Sequence, residues 1–319
     1  MRLFAWTYTT DMKKYLYCEN GFDEKAEYTP GCWTSVEYPD DSDIDFLTQM
    51  LNIPESFIED IADTDERPRI EAEDAWLLTI LHIPIDSQQT DIPFITIPLG
   101  IITAKNAMVT VCFHHTKFIS DFIQYSRHKN ISIKDNTDLI LHILYFSTEC
   151  FLKRLRQINQ FVNTAEKDLE KSIRNEDLLK LMNIQKSLVY FNTSIHGNEV
   201  VAERLKDHFP RNGELDMDLL EDATIELERA SNTVTIYSEL LTGTMDTFAS
   251  IISNNVNAIM KRMTSLSITL AIPTLIASFY GMNVNINIGE SPYAFTLIIL
   301  LSAAISAITF ILFRKIKWF

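Results

Sequence analysis

Hydrophobic patterning divides the chain into three regimes. In residues 1–130, short runs of Val, Ile, Thr and aromatics alternate with turn residues, which marks strands. Strands are predicted over 2–8, 32–37, 75–84, 94–103 and 107–113, and helices over 43–51, 55–62 and 117–128. Pro30, Pro39, Pro54, Pro84, Pro93 and Pro98 punctuate this part. From Asn136 the period becomes helical. Pro210 is the one proline between Pro98 and Pro273. Helices are predicted over 137–172 and 176–207, with a break at 208–216. A third helix starts near Asp216, and nothing stops it before Tyr280. At 1.5 Å per residue it would run about 100 Å. One monomer cannot bury a helix of that length, so it calls for partners. Gly243 inside it is a modest helix cost.

The third regime is apolar. No charge occurs from Met263 to Gly289, or again from Ser291 to Phe313. A spanning helix needs about 20 mostly apolar residues. Two transmembrane helices are therefore predicted, at 263–280 and 293–313. Lys261 and Arg262 precede the first, Arg314, Lys315 and Lys317 follow the second, and the loop 281–292 has no Lys or Arg. The positive-inside rule puts both chain ends in the cytoplasm and the loop outside. The second span is rich in Leu and Ile and reads as lipid-facing. The first carries Thr264, Ser265, Ser267, Thr269, Thr274 and Ser278, which suit close helix contacts or a polar lumen. Two helices cannot enclose a pore, so conduction would demand an oligomer. Pro273 is a candidate kink.

Charge sharpens this division. The net charge of -15 comes from 28 basic and 43 acidic residues. Residues 263–319 hold only Arg314, Lys315, Lys317 and Glu290, so residues 1–262 keep 25 basic and 42 acidic residues, a net of -17. That balance argues against nucleic acid as a partner and suits cations as ligands or cargo. The start of the chain has no apolar run long enough for a signal peptide. Cys18, Cys32, Cys112 and Cys150 form no CxxC pair and no zinc spacing, so they read as reduced thiols in a cytosolic body. His114 and His115 are adjacent and, in a strand, would point to opposite faces. No GxxxxGK[ST], GxGxxG, HExxH or GxSxG occurs, so nucleotide use, zinc proteolysis and hydrolase chemistry have no support and no enzyme is expected.

The loop after the first span begins Tyr280-Gly281-Met282-Asn283. Placed there, between two C-terminal spans, the motif resembles the Gly-Met-Asn signature of the CorA family of magnesium transport proteins. Three features extend the resemblance over the whole chain: the closing KIKWF, the segment FIEDIADTDERPRIE (57–71) and the long helix before the membrane. The resemblance implies an α+β cytoplasmic domain, a long stalk helix and two transmembrane helices, assembled as a funnel-shaped homopentamer in the cell (inner) membrane. It implies a cytoplasmic α/β domain at 1–130, paired helices beside the stalk at 131–214, a cytoplasmic stalk at 215–262, a pore-lining helix at 263–280, an external loop at 281–292, a second membrane helix at 293–313 and a basic tail at 314–319.

The same resemblance implies a selectivity filter of Gly281, Met282 and Asn283, with Asn283 as a ring at the outer mouth. Mg2+ dehydrates reluctantly. Neutral amide and carbonyl oxygens accept hydrogen bonds from its water shell without stripping it, whereas a carboxylate ring would bind tighter and release slower. On the residues alone, Asn283 would read as a turn residue or helix cap. Asn257, Met260, Thr264, Ser267, Ala271, Thr274 and Ser278 recur at three- or four-residue steps, which is one helical stripe. Ordinary helix packing gives the same spacing. Within the family, Met260 with Met263 implies an apolar gate that closes by dewetting. Small Ala271 stands at the family's second constriction. The resemblance maps Asp60 and Asp222 to a Mg2+ site between subunits, with Glu59, Glu221 and Asp246 as further ligands. For a single Asp on an exposed helix, a solvated face is the commoner explanation. One departure stands out: no acid directly follows Gly-Met-Asn, and Glu290 is the one acid of the loop.

The function implied is uptake of Mg2+, and of Co2+ and Ni2+, down the membrane potential, gated by intracellular Mg2+. Transported and regulatory Mg2+ are the expected ligands, with no organic cofactor and no nucleotide. A Zn2+ transporter of the same superfamily, with proton coupling, is the first alternative, and intact Met282 argues against it. A membrane-anchored cation sensor without transport is the second, and the polar stripe argues against it.

Overall fold

The strand patterns of the N-terminal part close into one seven-stranded sheet. The computed structural model describes residues 13–17, 22–87, 91–105, 107–171, 175–209, 215–282 and 293–316. The strands are β1 (Lys13–Tyr17), β2 (Asp23–Lys25), β3 (Trp33–Glu37), β4 (Arg69–Glu73), β5 (Trp76–Asp86), β6 (Phe94–Ala104) and β7 (Ala107–Cys112). Their order is β2-β1-β3-β7-β6-β5-β4. All neighbours are antiparallel except β3 and β7. The predicted strand at 2–8 lies outside the described residues. β1, β2 and β4 were not expected. β4 is the edge strand RIEAE and is mostly polar. β2 has three residues, all charged and exposed. Such short polar edges carry little periodic signal. His114 and His115 lie past the end of β7, and the His115 ring stacks on Tyr38 with centroids 4.1 Å apart.

The helices are α1 (Asp41–Asp45), α2 (Glu55–Ala62), α3 (Phe118–Lys129), α4 (Asn136–Lys171), α5 (Asn175–His208), α6 (Met217–Tyr280) and α7 (Ala294–Lys315). The helix expected at 43–51 starts earlier and changes type. Asp40 and Asp43 form a capping box that fixes the start of α1, and a π-helical turn follows at Phe46–Met50. Asp135 caps α4 by accepting from the Asp138 N–H at 2.9 Å. Asp216 caps α6 by accepting from the Leu219 N–H at 3.0 Å.

Helices cover both faces of the sheet. Phe57, Ile58 and Ile61 of α2 are buried against Val36, Leu78, Ile80, Ile102, Val109 and Val111, which alternate along their strands and so share one face. Gly100 of β6 permits this contact, because a Cβ there would overlap Ile61 Cδ1. The opposite parity carries Trp33, which packs edge-on to Phe22 and Phe122 of α3. Phe146 of α4 extends that cluster. α4 and α5 pack on β5 and β6.

The chain divides into two units, Met1–Thr242 and Gly243–Phe319. The first holds the sheet, α1–α5 and the start of α6. The second holds the rest of α6, together with α7. Each of these two helices contains an apolar window long enough to cross a membrane and almost wholly exposed. α6 is assigned as helix throughout, Pro273 included.

Candidate ion pathway and regulatory carboxylates

α6 presents two different stripes in its apolar part. Ser265 is buried, and Thr269, Ile272, Pro273, Ile276 and Tyr280 are half-buried. These recur at steps of one, three and four residues and so share one side. Asn257, Met260, Thr264, Ser267, Ala271, Thr274 and Ser278 are all exposed. At 3.6 residues per turn, the two stripes are centred roughly 160° apart. Met263, 62 % exposed, borders the second stripe. The sequence-predicted pore positions lie on the exposed part of the helix, which they share with Leu266, Ile268, Leu270, Leu275 and Phe279. Thr274 Oγ1 donates to the Leu270 carbonyl at 3.1 Å, as Thr269 Oγ1 on the shielded side does to the Ser265 carbonyl at 2.8 Å. α7 shields a stripe of its own: Ile298, Ser302, Ser306, Thr309 and Phe313 are half-buried.

The C-terminal end of α6 closes at Gly281, whose N–H donates to the Ala277 carbonyl at 2.9 Å. Met282 follows and is exposed. Asn283 and Glu290 lie outside the described residues.

The candidate regulatory carboxylates fall in separate surroundings. α2 buries Phe57, Ile58 and Ile61 and turns Glu59 and Asp60 outward. Asp60 is half-buried and accepts from Arg69 Nη2 at 2.6 Å. Arg69, at the start of β4, also pairs with Glu66 and, at 3.0 Å, with Glu71. Burial works against the Arg69 cation, and Glu71, Glu66 and Asp60 outweigh it, so its pKa rises. Sequence reasoning had Asp60 but missed these three partners. The signal was present in Glu66, Arg69 and Glu71: residues 69 and 71 share a strand face.

Asp222 is exposed on α6, as are Glu221 and Asp246. Its charge is felt by Tyr145 of α4. Burial raises the Tyr145 phenol, and Glu149, Glu226 and Asp222 raise it further. Among the described residues, Asp60 and Asp222 share no ion-pair partner. Among the described residues, no three His, Cys, Asp or Glu side chains come together to hold a metal within one chain. The donors are nonetheless of the right kind, since carboxylate oxygens are what Mg2+ takes. Cys32, Cys112 and Cys150 are free thiols. Burial pushes Cys112 up to about 12 and Cys150 up to about 11, so neither is an ionised soft-metal ligand at neutral pH.

The chain thus joins an α+β domain to two helices long and apolar enough to cross a membrane, the first of which carries hydroxyl side chains on both of its sides. The chain belongs to the CorA-like Mg2+ transporter protein family, whose model matches residues 30–315. It is 27% identical over 296 residues to the cobalt/magnesium transport protein CorA of Methanocaldococcus jannaschii, covering 90% of each chain. It is 24% identical over 320 residues to the magnesium transport protein CorA of Helicobacter pylori, covering 96% of each. The complete structure of the M. jannaschii CorA magnesium transporter superposes with a TM-score of 0.83 at 25% identity, covering 97% of this chain and 99% of that one.

Proposed function

We propose that the chain is one subunit of a homopentameric channel that carries Mg2+, and also Co2+ and Ni2+, into the cell. The single observation that carries this reading is the exposed stripe Asn257, Met260, Thr264, Ser267, Ala271, Thr274 and Ser278 on α6. Amide and hydroxyl groups facing lipid would be costly. Five copies turning that stripe inward give them water and an ion shell instead. Both chain ends then lie in the cytoplasm, with Lys261, Arg262, Arg314 and Lys315 at the inner face.

In this assembly Asn283 and the Gly281 carbonyl form the outer ring, where neutral oxygens accept from the hydrated ion. Ser278, Thr274, Ser267 and Thr264 offer further oxygens to the water shell. Met260 and Met263 close the inner mouth by excluding water. The membrane potential supplies about 4.6 kcal/mol per 100 mV for a divalent ion, twice the single-charge value. Asp60 of one copy and Asp222 of the next would hold a regulatory divalent cation, with Glu59, Glu221 and Asp246 nearby. When bound, that cation supplies positive charge between carboxylates that otherwise repel. Asp60 and Asp222 then keep neighbouring subunits together and the pathway closed.

Purified protein in liposomes loaded with a Mg2+-sensitive dye tests the reading. Mg2+ should enter under an inside-negative potential, and Asn283→Ala should abolish selective entry. Absence of flux in the unaltered protein overturns the reading. Flux that prefers Zn2+ and collapses with a proton gradient would replace it with a proton-linked Zn2+ carrier. Normal Mg2+ entry by the Asn283 variant removes the ring from the pathway.

A further inference from the structure

Arg69 stands where a cation would have to compete. Its guanidinium bridges three carboxylates from three places in the fold: Asp60 on α2, Glu66 in the connecting loop and Glu71 on β4. One positive charge faces three negative ones, so the cluster keeps an uncompensated charge of -2. Asp60 Oδ2 is taken by Arg69 at 2.6 Å, and Oδ1 accepts from no described residue.

The bridge is held in place from the backbone. The Glu66 carbonyl lies 2.7 Å from His82 Nε2. Pro68 lies against Gly197 of α5, where a Cβ would come within 2.6 Å of Pro68 Cγ. Ile70 pairs with Thr79 in the sheet. Residues 66–70 are thus pinned on three sides at the backbone, and the guanidinium is held by its three carboxylates. A divalent cation that engages Asp60 must therefore share its carboxylate with the Arg69 guanidinium or displace it.

We propose that Arg69 is a built-in competitor that raises the divalent-cation concentration needed to engage Asp60. The inference rests on the regulatory role given to Asp60 above. Its consequence is a threshold: Arg69 holds Asp60 neutralised at low Mg2+, and only a rising cation concentration overcomes it. A purely attractive carboxylate cluster would instead be occupied at low concentration. Arg69 acts through Asp60 and is a positioning residue rather than a ligand.

The test uses the full-length protein in nanodiscs, digested with protease across a Mg2+ series. The readout is the Mg2+ concentration for half-maximal protection, independent of flux. Arg69→Gln should lower that midpoint by about fivefold, the upper end for one partly exposed ion pair. Arg69→Lys keeps the charge and should leave the midpoint near that of the unaltered chain. An unchanged or raised midpoint in Arg69→Gln overturns the proposal. So does an equal shift in Arg69→Lys, which would make packing rather than charge the cause. An unaltered protein with no Mg2+ protection at all also overturns it, even if it conducts Mg2+. Loss of flux with Mg2+ protection intact would instead strike the proposed transport.

Discussion

Asn198 is fully buried on α5, and its carboxamide closes a hydrogen-bond pattern that the sheet leaves open. β4 pairs with β5 only from Arg69↔Ile80 to Glu73↔Trp76, so it ends before His82. On the other side His82 faces Pro98, which has no N–H. Asn198 Oδ1 accepts from the His82 N–H at 2.9 Å, and its Nδ2 donates to the His82 carbonyl at 2.9 Å. One side chain thus satisfies both backbone groups of a strand residue. The His82 ring lies 2.8 Å from Ser194 Oγ, which donates to Thr96 Oγ1, so α5 is tied to β5 and β6 at one point. Asn198→Ala would orphan two buried backbone groups at a cost of about 2 to 4 kcal/mol. Buried Trp33 offers the readout. Urea unfolding followed by tryptophan fluorescence should shift to markedly lower urea, and an unchanged midpoint would show that water replaces the carboxamide. None of this was legible in the sequence, where Asn198 is a polar residue in a helical run. Its role depends on where β4 stops, and β4 itself escaped prediction because RIEAE reads as a polar segment.

At the scale of elements, what could be read was what carries a long uniform signal. α4, α5 and α6 fall within a residue or two of the expected ranges because they run for 36, 34 and 64 residues with almost no proline. The start of α1 and its π-helical turn could not be read, because capping geometry and not periodicity sets them. The stripe on α6 was legible as spacing, but spacing alone could not say whether it was packed or open. In the structure Ser265 is buried and Thr269 half-buried, whereas the seven predicted positions are exposed, as are Leu266, Ile268, Leu270 and Leu275. That separation makes the apolar members of the stripe testable as a gate. Met260 is 61 % exposed and precedes a run of hydroxyls. Replacing it with Ser would put a water-binding group where dewetting is proposed. Met260→Ser should therefore conduct at Mg2+ concentrations that close the unaltered protein. The check is dye flux in liposomes with high Mg2+ on the domain side. Closure at the same concentration as the unaltered chain would move the gate away from Met260.

The whole molecule is an acidic body of net charge -17 joined to a segment with almost no charge. Self-repulsion of that size within and between copies favours separation. A cation bound between copies, as proposed, would oppose it and shift the population toward the assembled, closed form. The distribution of partners decides which carboxylates matter. Asp60 already has Arg69 within its own chain. Asp222 is exposed and has no ion-pair partner among the described residues, and the acids that act with it on Tyr145 are Glu149 and Glu226, of which Glu226 is paired with Arg229 at 3.2 Å. Asp222 therefore gains more from an added cation than Asp60 does. Asp222→Ala should raise the Mg2+ concentration needed for protease protection of the full-length protein, or abolish the protection. The same change removes one repelling charge per copy, so protection without Mg2+ should rise slightly. This pattern is opposite to that expected for Arg69→Gln, which lowers the midpoint. If Asp222→Ala left the midpoint where it was while Arg69→Gln moved it, the cation would sit against Asp60 with a different partner from the next chain. If both left it unmoved, the cation would act elsewhere on the acidic body.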